Sequence, residues 1–174
     1  YGGIDDTKPI ALSFIIGLLE DIIDIRLNFV NIGQIAEERG ISYSHSYNSK
    51  HVSYTNLIKT KVVSGSKTFT ISGSIFGDSH LKIVEIMGNA IDLTPNGIML
   101  FVHNQDLPGV VGKVGGILGN ANINIAEYIL SRSNSSEAFG VIKVDEKLSS
   151  NLLKDLIDLD EMLDVRQIGL NHEK

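Results

Sequence analysis

The sequence predicts an α+β protein in two parts, and three features carry that expectation. Residues 98–170 follow the order β-α-β-β-α-β, the split βαβ arrangement of ferredoxin-like domains. Ahead of them, the apolar period changes from helical to alternating near residue 56, and two tight-turn pairs, Gly65-Ser66 and Gly88-Asn89, divide the alternating part into hairpins. Between these regions stands the turn cluster Pro95-Asn96-Gly97, which sets expected domains at 1–97 and 98–174.

The first part opens with Pro9 to Asp21, apolar too densely for a surface strand and long enough for a half-buried helix. Asn31 is an N-cap candidate for a second helix running to Arg39, with Gly40 as its stop. Residues 56–64 and 67–76 read as strands joined by Gly65-Ser66. That turn pairs Ile58, Thr60 and Val62 with Gly73, Ile71 and Phe69 on an apolar face, and turns Lys59 and Lys61 to the other side. Residues 81–87 and 90–93 form a further hairpin about Gly88-Asn89, giving a sheet of at least four antiparallel strands with helices on one side. Tyr1 to Ile4 is expected to begin inside a strand.

In the second part the strands are 98–104, 123–131, 138–144 and 163–170, and the helices 108–120 and 148–159. Right-handed crossovers place both helices on one face of the sheet. Its other face is left to solvent or to another domain, and its outer strands offer edges to a second copy.

Composition removes several classes of function. Fifteen Lys+Arg against 21 Asp+Glu give a net charge of −6, which argues against general nucleic-acid binding. The chain has no cysteine, so it holds no disulfide, thiolate metal site or cysteine nucleophile; that suits a reducing, cytoplasmic setting. No apolar run approaches the ~20 residues of a membrane span. The five His (45, 51, 80, 103, 172) show no metal spacing, and no acid, base or nucleophile set appears, so neither a metal nor a catalytic residue is assigned. The charge is unevenly spread. Five Lys (50, 59, 61, 67, 82) accompany one acid, Asp78, between Lys50 and Lys82, and Lys59, Lys61 and Lys82 are candidates for holding a small anion.

Residues 103–124, HNQDLPGVVGKVGGILGNANIN, hold the chemistry. Pro108 suits a first helical position, leaving the amides of Gly109, Val110 and Val111 without internal partners and facing any carboxylate. Asp106, just before, favours a cation. A carboxylate beside an ammonium is what a free α-amino acid presents. Asn124 opens the second strand, expected near the end of the first and near a neighbouring copy. GVVGK is too short for a GxxxxGK phosphate loop and lacks its Ser or Thr. Glycines in a helix interior cost roughly 0.8–1 kcal/mol each against Ala. Close packing of helix on sheet is the expected compensation for Gly112, Gly115, Gly116 and Gly119, and ligand proximity for Gly109.

The segment 98–170, with DLPGVVGKVGGILGNANINIAEYILSR at its heart, resembles an ACT domain. The strings DTKPIALSFIIGLLE (6–20), FVNIGQIAEERGI (29–41) and SGSIFGDSHLKIVEIMGNAIDLTPNGIML (72–100) resemble the intervening domain that precedes it in the long form of the D-3-phosphoglycerate dehydrogenase family. The resemblance implies a regulatory region that binds L-serine between two ACT domains and acts on a catalytic domain of the same polypeptide, where NAD would bind. No cofactor is expected in these residues. By position, Asn104 and Asp106 of one subunit and Asn124 of the other would hold the serine, its carboxylate near the amides after Pro108; Asn104 stands where relatives carry His or Tyr. A homodimer through ACT domains, or a tetramer, is the implied assembly. Some relatives bind anions through a Lys, a His and an Arg on the segment matching 82–94; Lys82 remains here, with Ala90 and Thr94 at the other two positions. The alternatives are a structural assembly module with a decayed effector site, and the regulatory region of an L-serine dehydratase.

Overall fold

The structure, a computed structural model, describes residues 6–48, 54–77, 79–132 and 136–170. The expectation for Tyr1 to Ile4 lies outside these residues. The chain divides into two compact units, Tyr1–Leu57 and Ile58–Lys174.

In the first unit, helix α1 (Lys8–Leu19) carries Pro9 in its opening turn, where the missing N–H removes no helical bond. It buries Leu12, Ile15 and Leu19 together with Ile32 and Ala36 of α2 (Ile32–Glu38). Asn31 does not cap α2 with its side chain as expected. Its carboxamide oxygen accepts the Asn28 N–H at 2.9 Å and its amide donates to the Arg26 carbonyl at 3.0 Å, so it ties down the incoming loop instead. Gly40 does end the helix. Its φ of +69° lets Ile41 N–H donate to the Ala36 carbonyl (2.8 Å) and Gly40 N–H to that of Glu37 (2.9 Å), a Schellman closure.

The second unit is built on two four-stranded antiparallel sheets. The first, in order β1-β2-β3-β4, comprises β1 (Ile58–Ser64), β2 (Lys67–Phe76), β3 (His80–Ile86) and β4 (Asn89–Leu93). The β1–β2 register is the one the Gly65-Ser66 turn predicts: Ile58↔Gly73, Thr60↔Ile71, Val62↔Phe69, with Lys59 opposite Ser72 and Lys61 opposite Thr70. The β3–β4 turn sits at Met87-Gly88, one residue earlier than expected, with φ of +51° and +81°. The Asn89 amide donates back to the carbonyls of Ile86 and Met87.

The second sheet, in order β6-β7-β5-β8, comprises β5 (Gly97–Gln105), β6 (Ile125–Arg132), β7 (Glu137–Val144) and β8 (Met162–Leu170). Helices α3 (Val110–Asn120) and α4 (Ser150–Ile157) pack on one face, as expected of a ferredoxin-like fold. Period-two alternation along β5 makes the division: Leu100 and Val102 meet Val110, Val114, Leu118 and Leu156 on the helix side. Met99 and Phe101 point the other way. Ser149 caps α4, its Oγ accepting the Leu152 N–H at 3.3 Å.

The helix-free face is not bare. Met99, Phe101, Ile129, Phe139 and Val141 pack against Ile71, Ile83, Ile86, Ile91 and Leu93 of the first sheet. Leu93 and Val141 are fully buried and Met99 is 1% exposed. The apolar side of the first sheet is therefore covered by another sheet: two half-apolar faces remove their surface from water by meeting each other. The cover is partial, since Ile58 and Phe69 stay 40% and 47% exposed at the far side of the first sheet. The sequence boundary at 97/98 separates one sheet from the other, whereas packing joins both sheets and divides the chain at Leu57/Ile58.

Candidate functional site

Helix α3 begins at Val110, so Pro108 is not its first residue. Gly109 is the N-cap, at φ +93° and ψ −17°, a left-handed conformation that costs glycine little and a side chain considerably more. Gly109 thus has a conformational reason to be glycine beyond closeness to a ligand. Its carbonyl accepts the Lys113 N–H at 2.9 Å, closing the first turn. The exposed helix start is shifted one residue: the amides of Val110, Val111 and Gly112 lead it, and no side chain caps it. Val110, 2% exposed, anchors this start in the core, while Val111 stands 48% exposed.

Three side chains come to this helix start from the sheet. Arg132 on β6 and Asn104 on β5 both pair with Ala138 on the intervening β7, and so form one row across the sheet. Asn104 is 4% exposed; its amide donates to the Gln105 carbonyl at 2.7 Å, and its Oδ1 is buried without a hydrogen-bond partner among the described residues. A buried amide oxygen left unpaired is uncommon and is itself an acceptor on offer. Asp106 follows β5, held by its N–H donating to the Ser136 carbonyl at 2.8 Å. Its Oδ1 lies 3.2 Å from Arg132 Nε, with the Asp106 side chain a quarter exposed and that of Arg132 two-thirds. Lys113, on the first turns of α3, is paired with Glu161, and that ammonium holds the Glu161 carboxyl below the usual carboxylate range.

Asn124 is not near this cluster in the same chain. It precedes β6 at the opposite end of the sheet, where Ile125 pairs with Val144 and Val144 with Ile98. Asn104 lies six residue steps along β5 from Ile98, roughly 20 Å at the usual rise. There the Asn124 amide donates to Asp145 Oδ2 at 2.8 Å. Closeness fails because β5 and β6, each antiparallel to the β7 between them, run in the same direction, so the start of β6 lies level with the start of β5 and not with its end. Arg132, by contrast, is a residue that no motif or spacing in the sequence singles out. The signal for it was parity: Tyr128, two pairs away, faces the helices, so Leu130 and Arg132 do too.

Two further expectations change. Gly112, Gly115, Gly116 and Gly119 do not lie against the sheet; a Cβ at any of them meets nothing within 4 Å. They line the outer side of α3. Lys59, Lys61 and Lys82 do reach one face of the first sheet, but Lys59 is paired with Glu85 at 3.1 Å and Lys82 with Asp92 at 2.8 Å. Among the described residues no three His, Asp or Glu are arranged to hold a metal ion, and no helix is long and apolar enough to cross a membrane. His103 lies 2.8 Å from Glu137 through Nε2.

A βαββαβ sheet whose first helix opens beside a strand-end acid defines a class: residues 98–161 match the family model of the ACT domain. Ahead of it, residues 3–87 match the D-3-phosphoglycerate dehydrogenase intervening domain. The chain is 35% identical over 166 residues to the D-3-phosphoglycerate dehydrogenase of Bacillus subtilis, an alignment covering 95% of this chain and 32% of the relative. With that of Archaeoglobus fulgidus it shares 29% over 168 residues, covering 95% and 32%. With that of Synechocystis it shares 26% over 166 residues, covering 95% and 30%. The chain belongs to the D-3-phosphoglycerate dehydrogenase family and corresponds to its intervening-plus-ACT region. It spans about a third of the length of these relatives.

Proposed function

We propose that this region senses L-serine and self-associates, and that it thereby regulates an NAD-dependent oxidation of 3-phosphoglycerate carried out by a catalytic domain of the same polypeptide. The observation that carries the reading is the buried Asn104 Oδ1, unpaired beside an uncapped helix start and an aspartate. A zwitterion satisfies all three: its carboxylate on the amides of Val110 and Val111, its ammonium between Asp106 and Asn104 Oδ1. Carboxylate binding at the helix start gains from the dipole as well as from the N–H groups.

Asn124 joins such a site only from a second copy. Strand β6 ends the hydrogen-bonded order of its sheet, with β7 as its one ladder neighbour. Two β6 edges paired antiparallel about a two-fold axis bring the start of one strand beside the end of the other, and so Asn124 of one copy beside Arg132 and Asp106 of its partner. In this arrangement serine bridges two subunits. It then acts by binding one subunit arrangement more tightly than another, and linkage requires that whatever shifts that arrangement shift serine affinity equally.

Titration calorimetry of the 174-residue chain with L-serine tests the proposal. Binding is expected, and Asn124→Ala is expected to weaken it by at least ~1 kcal/mol, the scale of a lost hydrogen bond to a charged group. Unchanged affinity in that variant removes Asn124 from the site. The rival reading, an assembly module without an effector, draws on the Asp106–Arg132 pair, which already gives the aspartate a cation. Failure of millimolar L-serine to raise the melting temperature supports that rival. No anion site is proposed on the Lys-rich sheet, since an anion there must compete with Glu85 and Asp92 for two of the three lysines.

A further inference from the structure

We propose that Arg132 is a built-in competitor for the effector's ammonium group, an internal cation that holds Asp106 when no amino acid is bound and leaves when one arrives. This rests on the reading of an amino-acid site at the start of α3. Of the cationic side chains near that start, Arg132 is the one that touches Asp106, with Nε 3.2 Å from Oδ1. Lys113, on the same helix, is taken by Glu161 and does not compete. The carboxylate is the fixed partner of the pair: the Asp106 backbone is tied by its N–H to the Ser136 carbonyl, and Gln105 before it donates to the Glu161 carbonyl at 2.8 Å. The guanidinium is the free one. Its side chain is 67% exposed in the single chain and projects from the helix side of the last residue of β6, not along the strand edge, so it can turn away from Asp106 without burying a charge.

The charges at the site then distinguish two kinds of ligand. An α-amino acid brings its own cation to Asp106 and must displace Arg132. A carboxylate without an amine has nothing to offer Asp106, leaves the ion pair in place, and finds both the helix start and a guanidinium nearby. Arg132 therefore lowers affinity for amino acids and leaves affinity for simple carboxylates equal or slightly raised. The displacement is inexpensive, because an exposed ion pair contributes at most about 1 kcal/mol, which sets the competition at up to about fivefold in affinity.

The test is calorimetry on the intact chain with two probes, L-serine and 3-hydroxypropanoate, which is serine without its ammonium. Arg132→Gln is expected to bind L-serine about two- to fivefold more tightly than the unsubstituted protein, with no gain for 3-hydroxypropanoate. Arg132→Lys, which keeps the charge, is expected to stay within about twofold of the unsubstituted protein. Weaker or unchanged L-serine binding in Arg132→Gln overturns the proposal; weaker binding of both probes identifies Arg132 as a carboxylate ligand instead. A gain shared by both probes also overturns it. If the unsubstituted protein and Arg132→Gln both fail to bind L-serine, the amino-acid site itself is wrong and this proposal goes with it, an outcome separate from L-serine binding that ignores the substitution. The Arg132 side chain is two-thirds exposed, so an unchanged melting temperature is expected for Arg132→Gln and verifies that the variant is folded.

Discussion

Two glycines on neighbouring elements are expected to respond to the same substitution with opposite signs. Gly116 lies in mid α3, exposed, and a Cβ there meets nothing within 4 Å. Replacing it with Ala removes backbone freedom from the unfolded chain and clashes with nothing in the folded one. The gain is the helix-propensity difference, roughly 0.5–1 kcal/mol. Gly140 lies in β7, between β5 and β6, where a Cβ meets Val102 Cγ2 at 2.9 Å, the Ile129 carbonyl oxygen at 3.3 Å and Tyr128 Cε2 at 3.3 Å. A side chain can shift away from the first and third contacts, but the second is backbone held in the sheet. Gly140→Ala is therefore expected to cost about 1–3 kcal/mol, the range for overpacking a core. For a chain of this length each kcal/mol moves the melting temperature by roughly 2–4 °C, so Gly116→Ala rises by about 1–4 °C and Gly140→Ala falls by several degrees. Urea unfolding followed by far-UV ellipticity, alongside thermal melts, measures both. A Gly116→Ala variant less stable than its parent refutes the reasoning, because it means that something in the folded protein occupies the space outside α3. Lack of change in Gly140→Ala would mean that the sheet yields where its packing says it cannot.

Further outcomes follow from the site. Asn104→Leu replaces a buried amide that makes one hydrogen bond and leaves one oxygen unpaired, so stability in urea is expected to change by less than about 1.5 kcal/mol while L-serine binding is lost; intact binding would remove Asn104 from the site. Lys113 holds Glu161 below the usual carboxylate range. A carboxyl with a depressed folded pKa contributes stability above its unfolded pKa and loses it as pH falls through the folded one. Urea midpoints are therefore expected to fall less steeply on acidification in Lys113→Met than in the parent, with equal slopes refuting the coupling.

The amount of the fold that the sequence disclosed follows the range of the interactions concerned. The β1–β2 register was readable because a two-residue turn at Gly65-Ser66 pairs its flanking residues one by one. The four strands and two helices of residues 98–170 were readable because their apolar periods are long and uninterrupted. Helix ends were less so: Gly109 was expected inside α3 and instead starts it in a left-handed turn, which periodicity does not record. The acidic chemistry of Asp106 was legible from its place just before the helix, whereas Asn104 entered only through the family resemblance.

What the sequence by itself determined is therefore local: which segments form strands and helices, the first hairpin's register, and the pairing of a bare helix start with a strand-end aspartate. The tertiary structure alone decided that the face of the second sheet away from its helices meets the first sheet, that Asn124 lies a strand's length from Asp106, and that Arg132 reaches that carboxylate. These depend on strand order, β6-β7-β5-β8, and on the direction in which each strand runs. Neighbours in a sheet are set by pairing between residues far apart in the chain, and no period of two or of 3.6 carries that information.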